Sequence, residues 1–402
     1  MRVLIADKLP DSARTELQAH GLEVVTKSGA ADAALAAALT EVDPDVLVVR
    51  STKVKAAHFA AAPSLQLVVR AGAGVNTIDL DAASSRAVFV TNCPGMNAVA
   101  VAELTIGHLL NADRRIADNV ATLRDGQWAK GEFSKASGLK GRTLGVLGCG
   151  AIGREVIRRA QAFEMHVVAW SPRLDEARAK ALGVRRCDSA IDVARACDAL
   201  TVHVELTPTT RGLIGEAIFD ALRPGAVFIN TSRGEVVDEE ALARAITEKK
   251  LRAGLDVFDG EPTADGEWKP SLASLPGVYG THHIGASTAE AQEAVAAEAV
   301  RIILEFAATG SAPNVVNLAE HTPATHLLVV RHQDKVGVLA GLLEALRDGG
   351  INVQRMQNII FSGDEGAACA RIQIEGALDA ALLDRVRADA AIYDVKVVTL
   401  TE

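Results

Sequence analysis

The chain has 402 residues, 49% of them hydrophobic and 23% charged, and a formal net charge of −9. That length exceeds one ordinary core and predicts two or three domains. The acidic balance argues against a sequence-independent grip on nucleic acid, which needs clustered Lys and Arg. The five cysteines, Cys93, Cys149, Cys187, Cys197 and Cys369, form no CxxC pair, so a reducing compartment and no bound metal are expected. No apolar run reaches the roughly 18 residues of a bilayer span, and the opening MRVLIADKLP lacks the long apolar stretch of a signal peptide. A cytoplasmic protein with no membrane partner is the expectation.

In chain order, short apolar runs alternate with helical stretches: VLIA near residue 3, VLVV before Arg50 and LQLVV before Arg70. The stretch from Asn97 to about Arg124 reads as one apolar-periodic helix, a rigid connection between two units. LGVLG before Cys149, HVVAW before Ser171 and LTVHV before Glu205 continue the strand pattern. A long helix from about Thr288 to Ala308 stops at Gly310 and Pro313. From His326 the order restarts as strand, helix, strand, strand, helix, strand. The expected fold is α/β, with two doubly wound Rossmann-like domains and a small ferredoxin-like α+β domain. The expected boundaries are 1–96 with 284–317, then 97–283, then 325–402.

The segment TLGVLGCGAIGREVIRRA sets Gly148, Gly150 and Gly153 in a GxGxxG pattern between a strand and an amphipathic helix. In that context Gly148 makes the tight turn, Gly150 lets the backbone approach a pyrophosphate, and Gly153 lets helix and strand pack closely. Ala151 and Ile152 open the helix whose N-terminus faces the anion. About 20 residues later an acidic residue usually binds the ribose of NAD. Here Ser171, Pro172 and Arg173 follow the strand; Ser171 is neutral and Arg173 suits a 2′-phosphate, so NADP stays open beside NAD.

Five further motifs stand in order: GAGVNTIDL, NCPGMNAVAVAEL, INTSRGEVVDEEAL, GLDVFDGEP and THHIGAST. Together they resemble the D-2-hydroxyacid dehydrogenase family across residues 1 to about 317. The resemblance implies hydride transfer from a 2-hydroxy acid to NAD. It makes His283 the acid/base, Glu261 its hydrogen-bond partner that raises its pKa, and Arg233 the residue that binds and polarises the substrate. His283 rather than His282 is chosen because it directly precedes IGAST. The family usually has Pro where His282 stands, which suggests a less rigid loop. The resemblance also carries cofactor contacts to Val75, Asn76, Asn97, Val101, His203, Thr207, Pro208 and Asp256, the last beside the nicotinamide carboxamide.

Arg50 and Arg70 each end an apolar strand, where ligands collect in open α/β sheets. Two cations at neighbouring strand ends suit a doubly charged anion. With Ser51 and the loop Gly72, Ala73 and Gly74 they resemble the family members that take a phosphorylated hydroxy acid. Lys130 in GQWAKGEF is expected to reach a neighbouring subunit's site, in a homodimer or homotetramer. The tail HLLVVRHQDKVGVLAGLLEALRDGGINVQRMQ resembles an ACT domain, which implies an amino-acid effector such as serine at His332, Asp334, Gly337 and Asn352. Asp334 replaces the more usual Asn and Val336 the more usual Pro, and a module that only dimerises is the alternative. Competing functions are a glycerate or glyoxylate reductase and a non-catalytic dinucleotide sensor.

Overall fold

The computed structural model describes residues 1–262, 266–363 and 366–400. The chain divides into two compact units, Met1–Asn317 and Leu318–Glu402.

In the first unit the opening strands are β1 (Arg2–Ile5), β2 (Glu23–Thr26), β3 (Val46–Val49), β4 (Leu67–Arg70) and β5 (Phe89–Asn92). They form a parallel sheet of order β2-β1-β3-β4-β5. Val46–Val49 is buried throughout, as a strand covered on both faces must be. One face packs on Leu35, Leu39 and Phe59. The other packs on Val295, Ala299, Ile302, Ile303 and Phe306 of the helix Ala289–Thr309, so this core draws on both ends of the unit. Thr288 caps that helix through Ala291 N and Gly310 ends it at φ 72°.

The second sheet comprises β6 (Thr143–Leu147), β7 (His166–Trp170), β8 (Arg185–Arg186), β9 (Ala199–Val202), β10 (Val227–Asn230), β11 (Arg252–Leu255) and β12 (Val278–Gly280). Its order is β12-β11-β10-β9-β6-β7-β8, all parallel. Each sheet reverses its winding once, between β1 and β3 in the first and between β6 and β9 in the second. Open parallel sheets leave a ligand crevice at such points.

The connection between the sheets departs from the expected single helix. A connecting helix, Ala98–Arg114, ends where Arg115 turns left-handed at φ 53°, and a separate helix runs Ile116–Arg124. Arg115 is held there by Asp118, Glu132 and the ring of Phe133. The second helix buries none of its residues, and Ile116, Val120 and Leu123 face outward. The apolar period therefore continued past a break that depends on residues remote from it.

The second unit contains β13 (His326–Gln333), β14 (Asn352–Ile360), β15 (Ala367–Glu375) and β16 (Ile392–Thr399) in an antiparallel sheet of order β14-β15-β13-β16. Helices Val338–Asp348 and Ala380–Arg387 cover Leu328, Val330, Ala370 and Ile372. This is the expected ferredoxin-like α+β arrangement. Among the described residues no helix is long and apolar enough to cross a membrane, and no group of three or more His, Cys, Asp or Glu stands ready for a metal.

Candidate active site

At the second sheet's reversal, Gly148 leaves β6 at φ 94°, and a Cβ there would lie 2.3 Å from the His203 carbonyl oxygen. Gly153 presses against the same turn: its Cβ would stand 2.0 Å from Gly148 O. Gly150, the N-cap of the helix Ala151–Ala162, has nothing within 4 Å of a Cβ position. The turn is thus closed on the protein side and open on the ligand side, where the first-turn N–H groups at Ala151 and Ile152 provide an anion cradle.

Among the buried polar atoms that lack a partner are His203 Nδ1, beside this turn, Asn97 Oδ1 at the start of the connecting helix, and Arg70 Nε at the end of β4 in the first sheet. Unpaired buried polar groups are costly, and all three belong to residues singled out from the sequence. Burial pushes His203 down to about 3, so it is neutral, with Nε2 beside Thr201 Oγ1 at 2.9 Å. The glycine turn and the unpaired, neutral His203 beside it fit a bound dinucleotide. Thr207 spends its hydroxyl on Thr209 and Thr210, 3.0 Å away in each case, which shapes its turn, and Pro208 is exposed. Ser171 follows β7 half-buried, and Arg173 is exposed without a side-chain partner among the described residues.

At the first sheet's reversal stands a residue that sequence reasoning passed over. Asp7, just beyond β1, accepts from Arg50 N at 2.6 Å, Ser51 N and Thr52 N at 3.0 Å, and Thr52 Oγ1 at 2.9 Å. Burial alone would raise its pKa, but these donors hold it below the usual carboxylate value. Its position after an apolar strand, like those of Arg50 and Arg70, was the available signal.

Arg70 lies where a Gly72 Cβ would be, Nη1 being 1.6 Å from that point, and Arg233 Nη2 is 2.3 Å from a Gly74 Cβ position. The two glycines leave room for two guanidinium groups. Burial, then the charges of Arg233 and Arg50, push Arg70 down to about 10, with Asp7 opposing, so three cations converge and the nearby carboxylates Asp7 and Glu261 offset them only in part. Arg233 is oriented by its own loop, donating to Ser232 O at 2.6 Å while Asn230 Nδ2 donates to Arg233 O at 2.8 Å. Asn76 lines the same place, with Oδ1 3.3 Å from the Gly74 Cβ position. Ala73 O accepts from Asn92 Nδ2 at 2.6 Å. Lys130 begins the short helix Lys130–Phe133 and is exposed, its ammonium without a hydrogen-bond or ion-pair partner among the described residues.

His283 Nδ1 meets Glu261 Oε1. Burial raises the Glu261 pKa, but His283, Phe258 N and Arg233 together bring it below the ordinary value. His283 itself sits at φ 51°, a conformation that needs support from its surroundings. Asp256 supplies it. Its carboxylate, 1% exposed, accepts from Ile284 N at 2.9 Å, Gly285 N at 2.8 Å and Thr281 Oγ1 at 2.6 Å, and its carbonyl accepts from His283 N at 2.8 Å. Val101 packs against Gly285, Cγ2 being 3.3 Å from a Cβ position there. The loop that contains His282 is therefore pinned from beneath. A cation cluster, a carboxylate-backed imidazole and an anion cradle in one unit can bind an acidic alcohol, remove its hydroxyl proton and orient a dinucleotide.

In the second unit the four suggested effector residues do not converge within one chain. His332 is buried, its ring held by Gln333 O at 2.7 Å and Asn358 Oδ1 at 3.1 Å. Asp334 and Gly337, at φ 93°, lie on the exposed turn after β13. Asn352 opens β14 opposite Glu375, at the far end of the sheet from that turn.

The first unit has the fold and site of a nicotinamide-dependent dehydrogenase. Residues 106–285 match the family described as D-isomer specific 2-hydroxyacid dehydrogenase, NAD binding domain. The chain is 36% identical over 367 residues to a D-3-phosphoglycerate dehydrogenase of Methanocaldococcus jannaschii, covering 90% of this chain and 68% of that one. Among solved structures, an NAD-bound 3-phosphoglycerate dehydrogenase of Entamoeba histolytica aligns with a TM-score of 0.66 at 26% identity, over 79% of this chain and 99% of that one. An NADPH-dependent glyoxylate/hydroxypyruvate reductase of Sinorhizobium meliloti aligns with a TM-score of 0.67 at 31% identity, over 78% and 96%. The chain belongs to the D-isomer-specific 2-hydroxyacid dehydrogenase family, and it spans about two thirds of the length of the curated relatives it matches.

Proposed function

We propose that this chain oxidises 3-phospho-D-glycerate to 3-phosphohydroxypyruvate with NAD, the first step of the phosphorylated route to serine. The observation that carries the reading is the convergence of Arg70, Arg50 and Arg233 in one cluster, Arg70 being buried with an unpaired Nε. A lactate or glyoxylate enzyme has no need of a phosphate-binding pair. The relatives named as D-3-phosphoglycerate dehydrogenases support the same substrate.

The bound nicotinamide supplies the acceptor for the hydride that leaves C2. Glu261 at Nδ1 of His283 fixes the ring so that Nε2 takes the hydroxyl proton. Arg233 neutralises the carboxylate and polarises the forming carbonyl, and Arg50 and Arg70 hold the phosphate. One hydride and one proton leave the alcohol, which balances the oxidation. Ser171 with Arg173 extends the cofactor range to NADP, because no carboxylate at the end of β7 repels a 2′-phosphate.

The same proposal includes a cytoplasmic homodimer or homotetramer, in which the outward apolar edge of Ile116, Val120 and Leu123 is covered by a second copy. An amino-acid effector such as serine that used both Asp334 and Asn352 would draw them from two copies. The test is the initial rate of reduced-cofactor formation from 3-phosphoglycerate, D-glycerate and D-lactate, with the oxo product trapped. Selective oxidation of the phosphorylated acid supports the reading. Selective oxidation of an unphosphorylated acid moves the assignment to a glycerate or lactate enzyme, and binding without turnover to a sensor.

A further inference from the structure

His108 lies in the middle of the connecting helix, 3% exposed, and takes no direct part in the chemistry proposed above. Its Nε2 is 3.0 Å from Thr281 Oγ1, and Thr281 Oγ1 is 2.6 Å from Asp256 Oδ1. A hydroxyl has one proton, and a carboxylate only accepts. Thr281 therefore donates to Asp256, and its oxygen accepts from the Nε2–H of His108, which assigns the imidazole tautomer. Burial pushes the His108 pKa down, with Asp256 opposing, so the ring is a neutral donor at neutral pH.

The packing around the ring is specific. Gly254 in β11 has no side chain where the imidazole passes: a Cβ there would stand 2.6 Å from His108 Cβ and 2.9 Å from Cγ. One turn earlier on the same helix face, Thr105 Oγ1 is 2.9 Å from Thr231 Oγ1, at the root of the Arg233 loop. The connecting helix thus bears on both loops that carry the proposed chemistry.

We infer that His108 is a positioning residue for the acid/base: through Thr281 it keeps Asp256 locked onto the N–H groups of Ile284 and Gly285, and so holds His283 in its left-handed conformation. The inference rests on the reading of His283 as the acid/base, but the relay itself can be measured without turnover.

The experiment compares the full chain with His108→Leu, which removes the donor, and His108→Gln, whose amide N–H can replace it. Hydrogen exchange of the amides at 283–285 is followed together with kcat, the KM for the hydroxy acid and the dissociation constant of NADH. Loss of one buried hydrogen bond in His108→Leu should raise local exchange about tenfold and lower kcat about tenfold. The KM and NADH affinity should stay near the starting values, and His108→Gln should restore both exchange and kcat. A merely structural loss would instead raise exchange across the whole second sheet. Unchanged exchange and kcat in His108→Leu, or failure of His108→Gln to restore them, overturns the relay. If His108→Leu does not fold, Thr281→Ala must produce the same local exchange, and its absence is equally decisive. If the starting protein oxidises no hydroxy acid, the proposed function fails while the exchange data still decide the relay.

Discussion

Replacing Arg70 by Met should move stability and substrate affinity in opposite directions. In the folded chain burial and the nearby charges of Arg233 and Arg50 push the Arg70 guanidinium down to about 10 from its usual value. Keeping it charged at neutral pH therefore costs the fold about 3 kcal/mol, at about 1.4 kcal/mol per tenfold change in the protonation equilibrium. Met is uncharged and of similar length, so it removes the desolvation and repulsion without opening a large cavity. The thermal midpoint of the empty protein should rise by about 3–5 °C for a unit of this size. The same change deletes charge-assisted bonds to an anion, worth about 1.5–3 kcal/mol, so the KM for 3-phosphoglycerate should rise about tenfold to a hundredfold. Scanning calorimetry with and without phosphate, and initial rates, read both effects. Phosphate should raise the midpoint of the starting protein more than that of the variant. A lower midpoint in Arg70→Met with unchanged KM would refute the reasoning, because Arg70 would then be a packing residue.

The glycine turn yields a paired prediction: Gly153→Ala places a methyl 2.0 Å from Gly148 O and should cost about 1–3 kcal/mol together with NAD affinity. Gly150→Ala, with open space around its Cβ position, should leave the midpoint unchanged and weaken NAD alone; equal midpoints for the two variants would contradict this account of the turn. Asp7→Asn should lose about 1–3 kcal/mol at pH 7, since an amide cannot accept all the donors of the Arg50 loop. Because the folded pKa of Asp7 is depressed, its contribution is present above the ordinary carboxylate value of about 4 and fades as pH falls through the lower folded value. The stability difference between the two proteins should therefore shrink below about pH 4, and a constant difference would count against it. Burial raises Cys93 and Cys197 to about 12 and Cys149 to about 11, so at pH 8 only about one Cys149 in a thousand is thiolate. Mass spectrometry of the native protein after brief alkylation should find Cys149 unmodified, and rapid labelling would contradict the burial that holds its thiol protonated.

The parts of the site that the sequence reveals depend on short-range pattern. A strand, three glycines and a helix are contiguous, so the cradle at Gly148, Gly150 and Gly153 can be read directly. Arg50 and Arg70 can be read because each directly follows an apolar run, and parallel strands place such residues at a crevice. What escaped depends on which strands become neighbours. Asp7 gains its role only because β1 lies beside β3, and the hold of Asp256 on 281–285 only because the chain returns there after β12. The break at Arg115 needs Glu132 and Phe133 from a later helix, so the apolar period ran on past it. The sequence suggests His332 as an effector position only by resemblance and does not show that β13 buries it against Asn358. Asn352 is close to Asp334 in the chain, and an intervening helix sends it to the opposite end of the sheet.

The central claim is that C2 of a phosphorylated 2-hydroxy acid gives up its hydrogen as hydride while His283 takes the hydroxyl proton. The direct test is to supply 3-phospho-D-glycerate deuterated at C2 with NAD and to assay the reduced dinucleotide for deuterium, in the starting protein and in His283→Ala. The account predicts one deuterium per dinucleotide reduced in the starting protein. It also predicts that His283→Ala loses turnover by at least about a hundredfold, the scale of general acid–base catalysis, while still binding NADH. Reduced dinucleotide without deuterium, or full turnover in His283→Ala, would contradict it.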